Sequence, residues 1–317
     1  MNETRGGLVA EVAAVLSKAG IGEPRRQARR LVAAALDLSE AELFSRPDLA
    51  VPRRQIDETK AMLRRMANKE PLSRILGRRE FWGLEFTLAP ETLDPRPETE
   101  TLVEAVLKRR PDRRQRSRVL DLGTGTGSIL LALLHEFPRA RGIGVDIAEP
   151  AVRTAAQNAA RLGFHNRADF FVGDWAAAVR GSFEVIVANP PYIATGDVEK
   201  LPCEVACYDP RLAIDGGEDG LAAHRAVAKG VPKLLASQGI FVTEVGVGQA
   251  YEVAAILQRN GLIVCGIDRD LAGILRCVIA SSTPNAQPRE KKVGIRSGPD
   301  YAGDPRGLGA GAESGET

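Results

Sequence analysis

Cysteine and histidine are scarce in this chain of 317 residues, with 4 of the first and 3 of the second. Cys203, Cys207, Cys265 and Cys277 form no CxxC pair. Neither a zinc centre nor a disulfide framework is therefore expected. The thiols read as reduced and mostly structural, as in a cytosolic protein. His135, His165 and His224 fit no catalytic arrangement and read as structural. No segment approaches the ~18–20 consecutive apolar residues of a membrane span. Met1-Asn2-Glu3-Thr4-Arg5 leads into an amphipathic stretch, so no signal peptide is expected and the protein reads as cytoplasmic. An excess of one charge is missing as well. Lys and Arg total 43 against 41 Asp and Glu, a net +2 that is no global footprint for nucleic acid. There is no internal repeat.

What is present is an ordinary globular composition, 44% hydrophobic and 26% charged, long enough for one large or two modest domains. Residues 1–75 read as all-helical. Leu8, Val9, Val12, Val15 and Leu16 recur at helical spacing up to Gly20. Pro24 can open a second helix with Leu31, Val32 and Ala35 on one side. Ser39 and Glu42 have capping-box spacing, and Ile56, Met62, Leu63 and Met66 form a fourth stripe. From Arg79 to Leu93 the period changes to two, with Gly83 as a turn, which predicts a hairpin. Pro97 then leads into a helix ending near Lys108. Arg109 to Arg118 holds six arginines in ten residues and reads as a solvated connector.

Beyond it strand and helix alternate. Strands are predicted at 119–122, 142–146, 169–172, 183–188, 239–244, 262–268 and 274–280. Helices are predicted at 128–137, 150–162, 221–236 (bent or split at Pro232) and 251–260. Successive strand–helix units imply a parallel sheet covered on both faces. The last two strands are joined by about five residues and must pair antiparallel. The fold class is thus α/β, a seven-stranded Rossmann-like sheet behind a small N-terminal all-helical domain. After Ser282 the chain turns to Pro, Gly, Ser and charge, so 283–317 is expected to be a disordered tail.

Two stretches carry chemistry. Gly123-Thr124-Gly125-Thr126-Gly127 lies between a strand and a helix, where glycine lets a ligand approach the backbone. Asp146 ends the next strand, 19 residues after Gly127, placed to accept both hydroxyls of a ribose. A dinucleotide and S-adenosylmethionine both fit this context. The GxGxG spacing and Asp121 favour the methyl donor, because a carboxylate would repel a pyrophosphate and attract a sulfonium and an amine. Asp174-Trp175, after the third strand, adds an acceptor for an adenine amine and a ring to pack on it. The second stretch is Asn189-Pro190-Pro191-Tyr192. Two prolines end the strand at once, leaving Asn189 at its tip. The Asn189 oxygen and the Pro190 carbonyl form a stiff pair of acceptors walled by Tyr192. Such a pocket suits a flat NH2 group, of an amide or of a nucleobase.

With glycines after strand one, Asp after strand two, Asp-Trp after strand three and Asn-Pro-Pro-Tyr after strand four, the chain resembles class I methyltransferases. More narrowly it resembles the release factor glutamine methyltransferases, the PrmC/HemK family, over about residues 8–281. The resemblance includes Pro71 to Gly77, Glu80 to Leu84, Pro95-Arg96-Pro97-Glu98-Thr99-Glu100, Asp209-Pro210-Arg211-Leu212-Ala213, Gly216 to Leu221, Glu244-Val245-Gly246 with Gln249, and Asp268 with Gly273 and Arg276. Asp94 and Asp209 are mild departures. The resemblance implies methylation, from S-adenosylmethionine, of the amide nitrogen of glutamine in the Gly-Gly-Gln tip of bacterial class 1 peptide chain release factors. It implies that Gly123 to Gly127, Asp146, Trp175 and Asn189 line the cofactor. Asn189, Pro190, Pro191 and Tyr192 would hold the glutamine, with Asn189, Pro190 and Tyr192 catalytic and no metal. Glu98 and Glu100 either approach the cofactor or serve the helix dipole. The domains expected are 1–75 for substrate recognition, 76–95 as a hairpin linker and 96–282 for catalysis. A monomer that binds neither membrane nor nucleic acid is expected. The rivals are an adenine-amine methyltransferase on nucleic acid, an NAD-dependent oxidoreductase and a non-catalytic binding protein. The first needs an aromatic-bearing recognition region, and residues 1–75 hold one aromatic, Phe44.

Overall fold

The computed structural model describes residues 3–283. The expected tail lies outside them from residue 284 on. The chain begins with α1 (Arg5–Lys18), α2 (Pro24–Ala35), α3 (Glu40–Ser45), α4 (Arg53–Ala67) and the short α5 (Leu72–Leu76). Leu8, Val12 and Leu16 of α1 are buried with Leu31 and Val32 of α2 and Ile56, Leu63 and Met66 of α4. Val15 is instead 37% exposed, off the stripe. The capping box opening α3 is complete: Glu42 N donates to Ser39 Oγ (3.1 Å) and Ser39 N donates to Glu42 Oε2 (2.8 Å).

Strands β1 (Arg78–Phe81) and β2 (Leu84–Thr87) form the expected hairpin. Trp82 and Gly83 both adopt left-handed φ, +54° and +68°, which matches the twist of the paired strands. Glu100 accepts the Trp82 N–H at 2.8 Å, and the indole Nε1 donates to Glu136 at 2.9 Å. Glu100 therefore ties the hairpin to the start of the following helix.

After α6 (Glu100–Arg109), the arginine run is not the free connector its composition suggests. Arg109 pairs with Asp268 at 2.7 Å, Arg110 donates to the Glu184 carbonyl at 2.9 Å, and Arg113 and Arg118 lie over the Phe137 and Phe183 rings. Charge density shows only that the segment is basic. Its partners lie far away in sequence.

The main sheet holds β3 (Arg118–Leu122), β4 (Arg141–Asp146), β5 (Ala168–Val172), β6 (Phe183–Ala188), β7 (Leu235–Glu244), β8 (Ile263–Arg269) and β9 (Leu275–Ser281). Its order is β5-β4-β3-β6-β7-β9-β8, parallel through β7, with β9 antiparallel to both β7 and β8. Strand β7 starts four residues before the predicted 239: Leu235 pairs with Phe183, and a register shift follows. Helices α7 (Ser128–Glu136), α8 (Glu149–Arg161), α11 (Ala222–Leu234) and α12 (Ala250–Arg259) cross between strands. Two four-residue helices, α9 (Cys203–Ala206) and α10 (Arg211–Ile214), interrupt the loop after β6. α11 runs through Pro232 without splitting and ends two residues later. α7 is apolar nearly all round because it is buried nearly all round. One core on each face of the sheet buries Leu130, Val187 and Val242 on one side and Leu120, Ile186 and Phe241 on the other. Cys277 is buried, but Cys203 and Cys207 are exposed, so they are not the structural thiols expected.

Candidate active site

The sheet order reverses at β3, whose neighbours are β4 on one side and β6 on the other. Open parallel sheets offer a crevice at such a point, beyond the carboxyl ends of the strands. Leu122 of β3 is paired with Ala188 of β6. The next residues, Gly123 and Asn189, thus leave neighbouring strand ends about 5 Å apart. A cleft of about 210 Å³ opens there, lined by Gly123, Thr124, Gly125, Thr126, Asp146, Trp175, Asn189 and Pro191 among others. Three of the anticipated residues do not line it. A Cβ on Gly127 would stand 3.2 Å from Ala155, behind the loop, and Pro190 (buried) and Tyr192 (half-buried) follow Asn189 at the other end, next to the lining residues Asn189 and Pro191.

The glycine loop is held from below. Gly125 N donates to Asp146 Oδ2 and Ala148 N to Asp146 Oδ1, both at 2.9 Å. Gly125 has φ +54°, and a Cβ there would meet nothing within 4 Å, so its backbone faces open space. Burial raises the Asp146 carboxyl, and the N–H groups of Ala148 and Gly125 pull it down. Asp121 is fully buried beneath the loop. Its Oδ2 accepts the Thr124 hydroxyl at 2.7 Å and its Oδ1 has no partner. Burial pushes Asp121 up to about 7, with Asp146 pushing the same way and Thr124 opposing. Trp175 adopts a left-handed φ of +47°, and its ring stands 3.1 Å from where a Gly123 Cβ would be. The ring thereby covers the glycine backbone. Asp174 also lines the cleft, as does Ile147, which is 56% exposed. A carboxylate on one wall, an orphaned buried acid below, an exposed apolar side chain and an indole fit a nucleoside that carries a positive charge.

The opposite end is an acceptor pocket. Asn189 Nδ2 donates to Thr99 Oγ1 at 3.3 Å, so the amide nitrogen is engaged. Among the described residues, neither the Asn189 Oδ1 nor the Pro190 carbonyl accepts a hydrogen bond. Behind them sits Glu244, fully buried at the end of β7. Tyr192 Oη donates to Glu244 Oε1 at 3.3 Å. Oε2 has no partner within hydrogen-bond limits, and the Thr99 hydroxyl approaches the carboxyl closely enough to lower it. Burial raises Glu244 to about 7; Glu98 adds to the rise, while Thr99, Arg276 and Tyr192 counter it. Burial also raises the Tyr192 phenol, and the Glu244 charge adds to that. Glu98 lies near enough to Glu244 and Tyr192 for its charge to raise both. His224 is buried beside the same strand, 2.9 Å from the Glu244 carbonyl, and burial lowers it.

Gln249 rivets the pocket from outside. Its Nε2 donates to the Tyr192 carbonyl at 2.9 Å, and its Oε1 accepts Gly246 N at 3.0 Å. Gly220, with φ +73°, lies against the same carbonyl: a Cβ there would stand 2.5 Å from Tyr192 O. Sequence reading gave Thr99, Glu244, Gln249 and Gly220 no role, although all four lie in stretches that carry the resemblance. Their partners are 90, 52, 57 and 29 residues away, so no local spacing marks them.

A glycine loop and an acceptor pocket at one switch point, on a sheet with an antiparallel final strand, define a class I methyltransferase, with S-adenosylmethionine as methyl donor. A methyltransferase domain family matches residues 114–280, and the PrmC N-terminal domain family matches residues 8–77. The release factor glutamine methyltransferase of Rhodospirillum rubrum is 49% identical over 84% of this chain and 81% of its own length. That of Bradyrhizobium diazoefficiens is 42% identical over 86% and 93%. Among solved structures, the hMettl16 catalytic domain in complex with a MAT2A 3′UTR hairpin shares the fold at TM-score 0.54, 15% identity, over 71% of this chain and 83% of that one. The chain belongs to the release factor glutamine methyltransferase family.

Proposed function

We propose that this protein methylates the side-chain amide nitrogen of the glutamine in the Gly-Gly-Gln tip of bacterial class 1 peptide chain release factors. The observation that supports the reading is the pairing of Leu122 with Ala188, so that Gly123 and Asn189 leave neighbouring strand ends. Gly123 to Thr126, Asp146 and Trp175 would hold S-adenosylmethionine. Bound there, it supplies a methyl group made electrophilic by a sulfonium.

The rest of the chemistry belongs to this chain. An amide nitrogen is a poor nucleophile because its lone pair is delocalised into the carbonyl. The Asn189 oxygen and the Pro190 carbonyl would accept its two N–H bonds, fix the nitrogen and stabilise the positive charge it gains. Thr99 holds the Asn189 nitrogen, which keeps the oxygen as the free end. Tyr192, anchored by Glu244 and Gln249, would wall the glutamine plane. No base is required, since the methylated amide cation loses its proton readily to water. Residues 1–75 would receive the body of the release factor.

The test offers labelled S-adenosylmethionine with a Gly-Gly-Gln release factor, DNA and RNA in parallel. Label in the release factor alone is expected. Label in either nucleic acid with none in the factor would overturn the reading in favour of an adenine-amine enzyme.

A further inference from the structure

Cys203 opens the one-turn helix α9 and Cys207 caps its end. Both are exposed, and their sulfurs lie 2.9 Å apart. Two residues four apart on a helix have Cα atoms about 6 Å apart, inside the range a disulfide tolerates. The sulfurs are already within about 1 Å of bonding distance. Cys265 has no such neighbour: its sulfur contacts the Ile263 carbonyl and the Ser281 hydroxyl. Cys277 is fully buried.

The pair sits in the segment that supplies Leu212, Ala213 and Asp215 to the cleft wall. That segment leaves the pocket at Ile193 and returns at Asp215, where the two residues bridge as neighbouring strands. Just past Cys207, the Tyr208 hydroxyl donates to the Asn68 carbonyl at 3.3 Å, and Asp209 accepts from Arg74 at 2.8 Å and from Arg96. Leu212 and Ala213 then line the cleft. The single turn of α9 is held by local backbone bonds alone: Val205 N and Ala206 N donate to the Pro202 carbonyl (2.9 and 3.0 Å), Cys207 N to the Cys203 carbonyl (3.0 Å), and Tyr208 N and Asp209 N to the Val205 carbonyl (3.3 and 3.0 Å). A covalent tie from its first residue to its cap would stiffen the stretch leading into Tyr208 and Asp209.

We infer that Cys203 and Cys207 are a reversible dithiol–disulfide site, oxidised by peroxides, that stiffens the segment leading to Leu212 and Ala213 of the cleft wall. One thiolate attacks the peroxide O–O bond, giving a sulfenic acid and one water or alcohol. The second sulfur displaces hydroxide, which leaves as water with the second thiol proton. Two electrons pass from the sulfurs to the peroxide, and a dithiol reductant reverses the change. The hydrogen bond from Cys207 raises the Cys203 thiol; Glu204 on the same helix adds to this and Lys69, after α4, opposes it. Tyr208 faces both sulfurs. Oxidation therefore speeds as pH rises toward and above the ordinary thiol range, about 8.5.

The test treats the full reduced chain with graded hydrogen peroxide, blocks remaining thiols, and maps peptides by mass spectrometry. The peptide holding both cysteines is expected to lose about 2 Da, recovered by dithiothreitol, at peroxide levels that leave Cys265 unchanged. Cys203→Ser and Cys207→Ser should each abolish that loss and yield a trappable sulfenic acid. Amide exchange over 203–209 is expected to slow several-fold in the oxidised form. Oxidation of the two sulfurs to sulfinic acids without a cross-link, or reaction no faster than at Cys265, would overturn the site. A cross-link with unchanged exchange would overturn the stiffening.

Discussion

The two ends of the cleft are built on the same plan from different materials. At the proposed cofactor end, buried Asp121 lies under a glycine loop with one oxygen unpartnered; at the proposed acceptor end, buried Glu244 lies under Asn189-Pro190-Pro191-Tyr192 in the same state. Burial pushes each up to about 7. The difference is range. Asp121 is met by Thr124, three residues on, and Asp146 by backbone N–H groups two and 21 residues away. Glu244 is met by Tyr192, 52 residues away, while Asn189 is held by Thr99 at a separation of 90. At the glycine-loop end the hydrogen bonds reach no further than 21 residues, and only the Trp175 ring over Gly123 comes from a distant stretch. The acceptor end exists only once the sheet has assembled, so its geometry depends on packing far from the reacting atoms.

If so, disturbing the acceptor end should change turnover, and disturbing the cofactor end should change binding and stability. The largest effect is expected at Asn189. Asn189→Ala removes one acceptor and should lower kcat by about 100-fold or more while leaving S-adenosylmethionine affinity within several-fold, read by steady-state kinetics beside calorimetry. Gly220→Ala comes next. Its Cβ would collide with the Tyr192 carbonyl at a backbone angle only glycine takes easily, so a loss of about 10–100-fold in kcat is expected with the fold intact by circular dichroism.

Glu244→Gln tests the charge behind the pocket. The ionised carboxylate accepts the Tyr192 hydroxyl and is favoured by the nearby Thr99 hydroxyl, so kcat in the parent should climb several-fold as pH rises through about 7. The Gln variant should lose that inflection. An unchanged profile would separate Glu244 from the pocket it backs.

Asp121→Asn tests the other acid by stability. A carboxyl raised in the folded state binds its proton more tightly there than in the unfolded chain. It therefore destabilises the fold increasingly as pH rises from about 4 to its folded value of about 7. Replacing it should stabilise the protein more at pH 8 than at pH 5, by about 2 kcal/mol in chemical denaturation, while weakening cofactor binding. A gain independent of pH would mean that Asp121 is not the charged group in question.

The same distinction in range explains what the sequence made legible. Strand tips, the GxGxG loop, Asp146 and the doubled proline are local signals, and the sheet with its reversed last strand follows from alternation and one short connection. Partners joined across the sheet left no such mark. Composition made the arginine run look free, although Arg109 and Arg110 reach Asp268 and Glu184. Asp94 and Asp209 looked like isolated variations. Both are buried beside Arg96, with Ser73 donating to Asp94 at 2.5 Å and Arg74 to Asp209 at 2.8 Å, one cluster drawn from three stretches of chain. Cys203 and Cys207, four apart, match no CxxC spacing and meet only because that stretch is helical.

The most direct test of the account is tandem mass spectrometry that locates the transferred methyl on a release factor treated with this protein and S-adenosylmethionine. The account predicts one added methyl on the side-chain amide of the Gly-Gly-Gln glutamine, absent when Asn189→Ala replaces the parent. A methyl on any other residue, or full methylation by the Asn189→Ala variant, would contradict it.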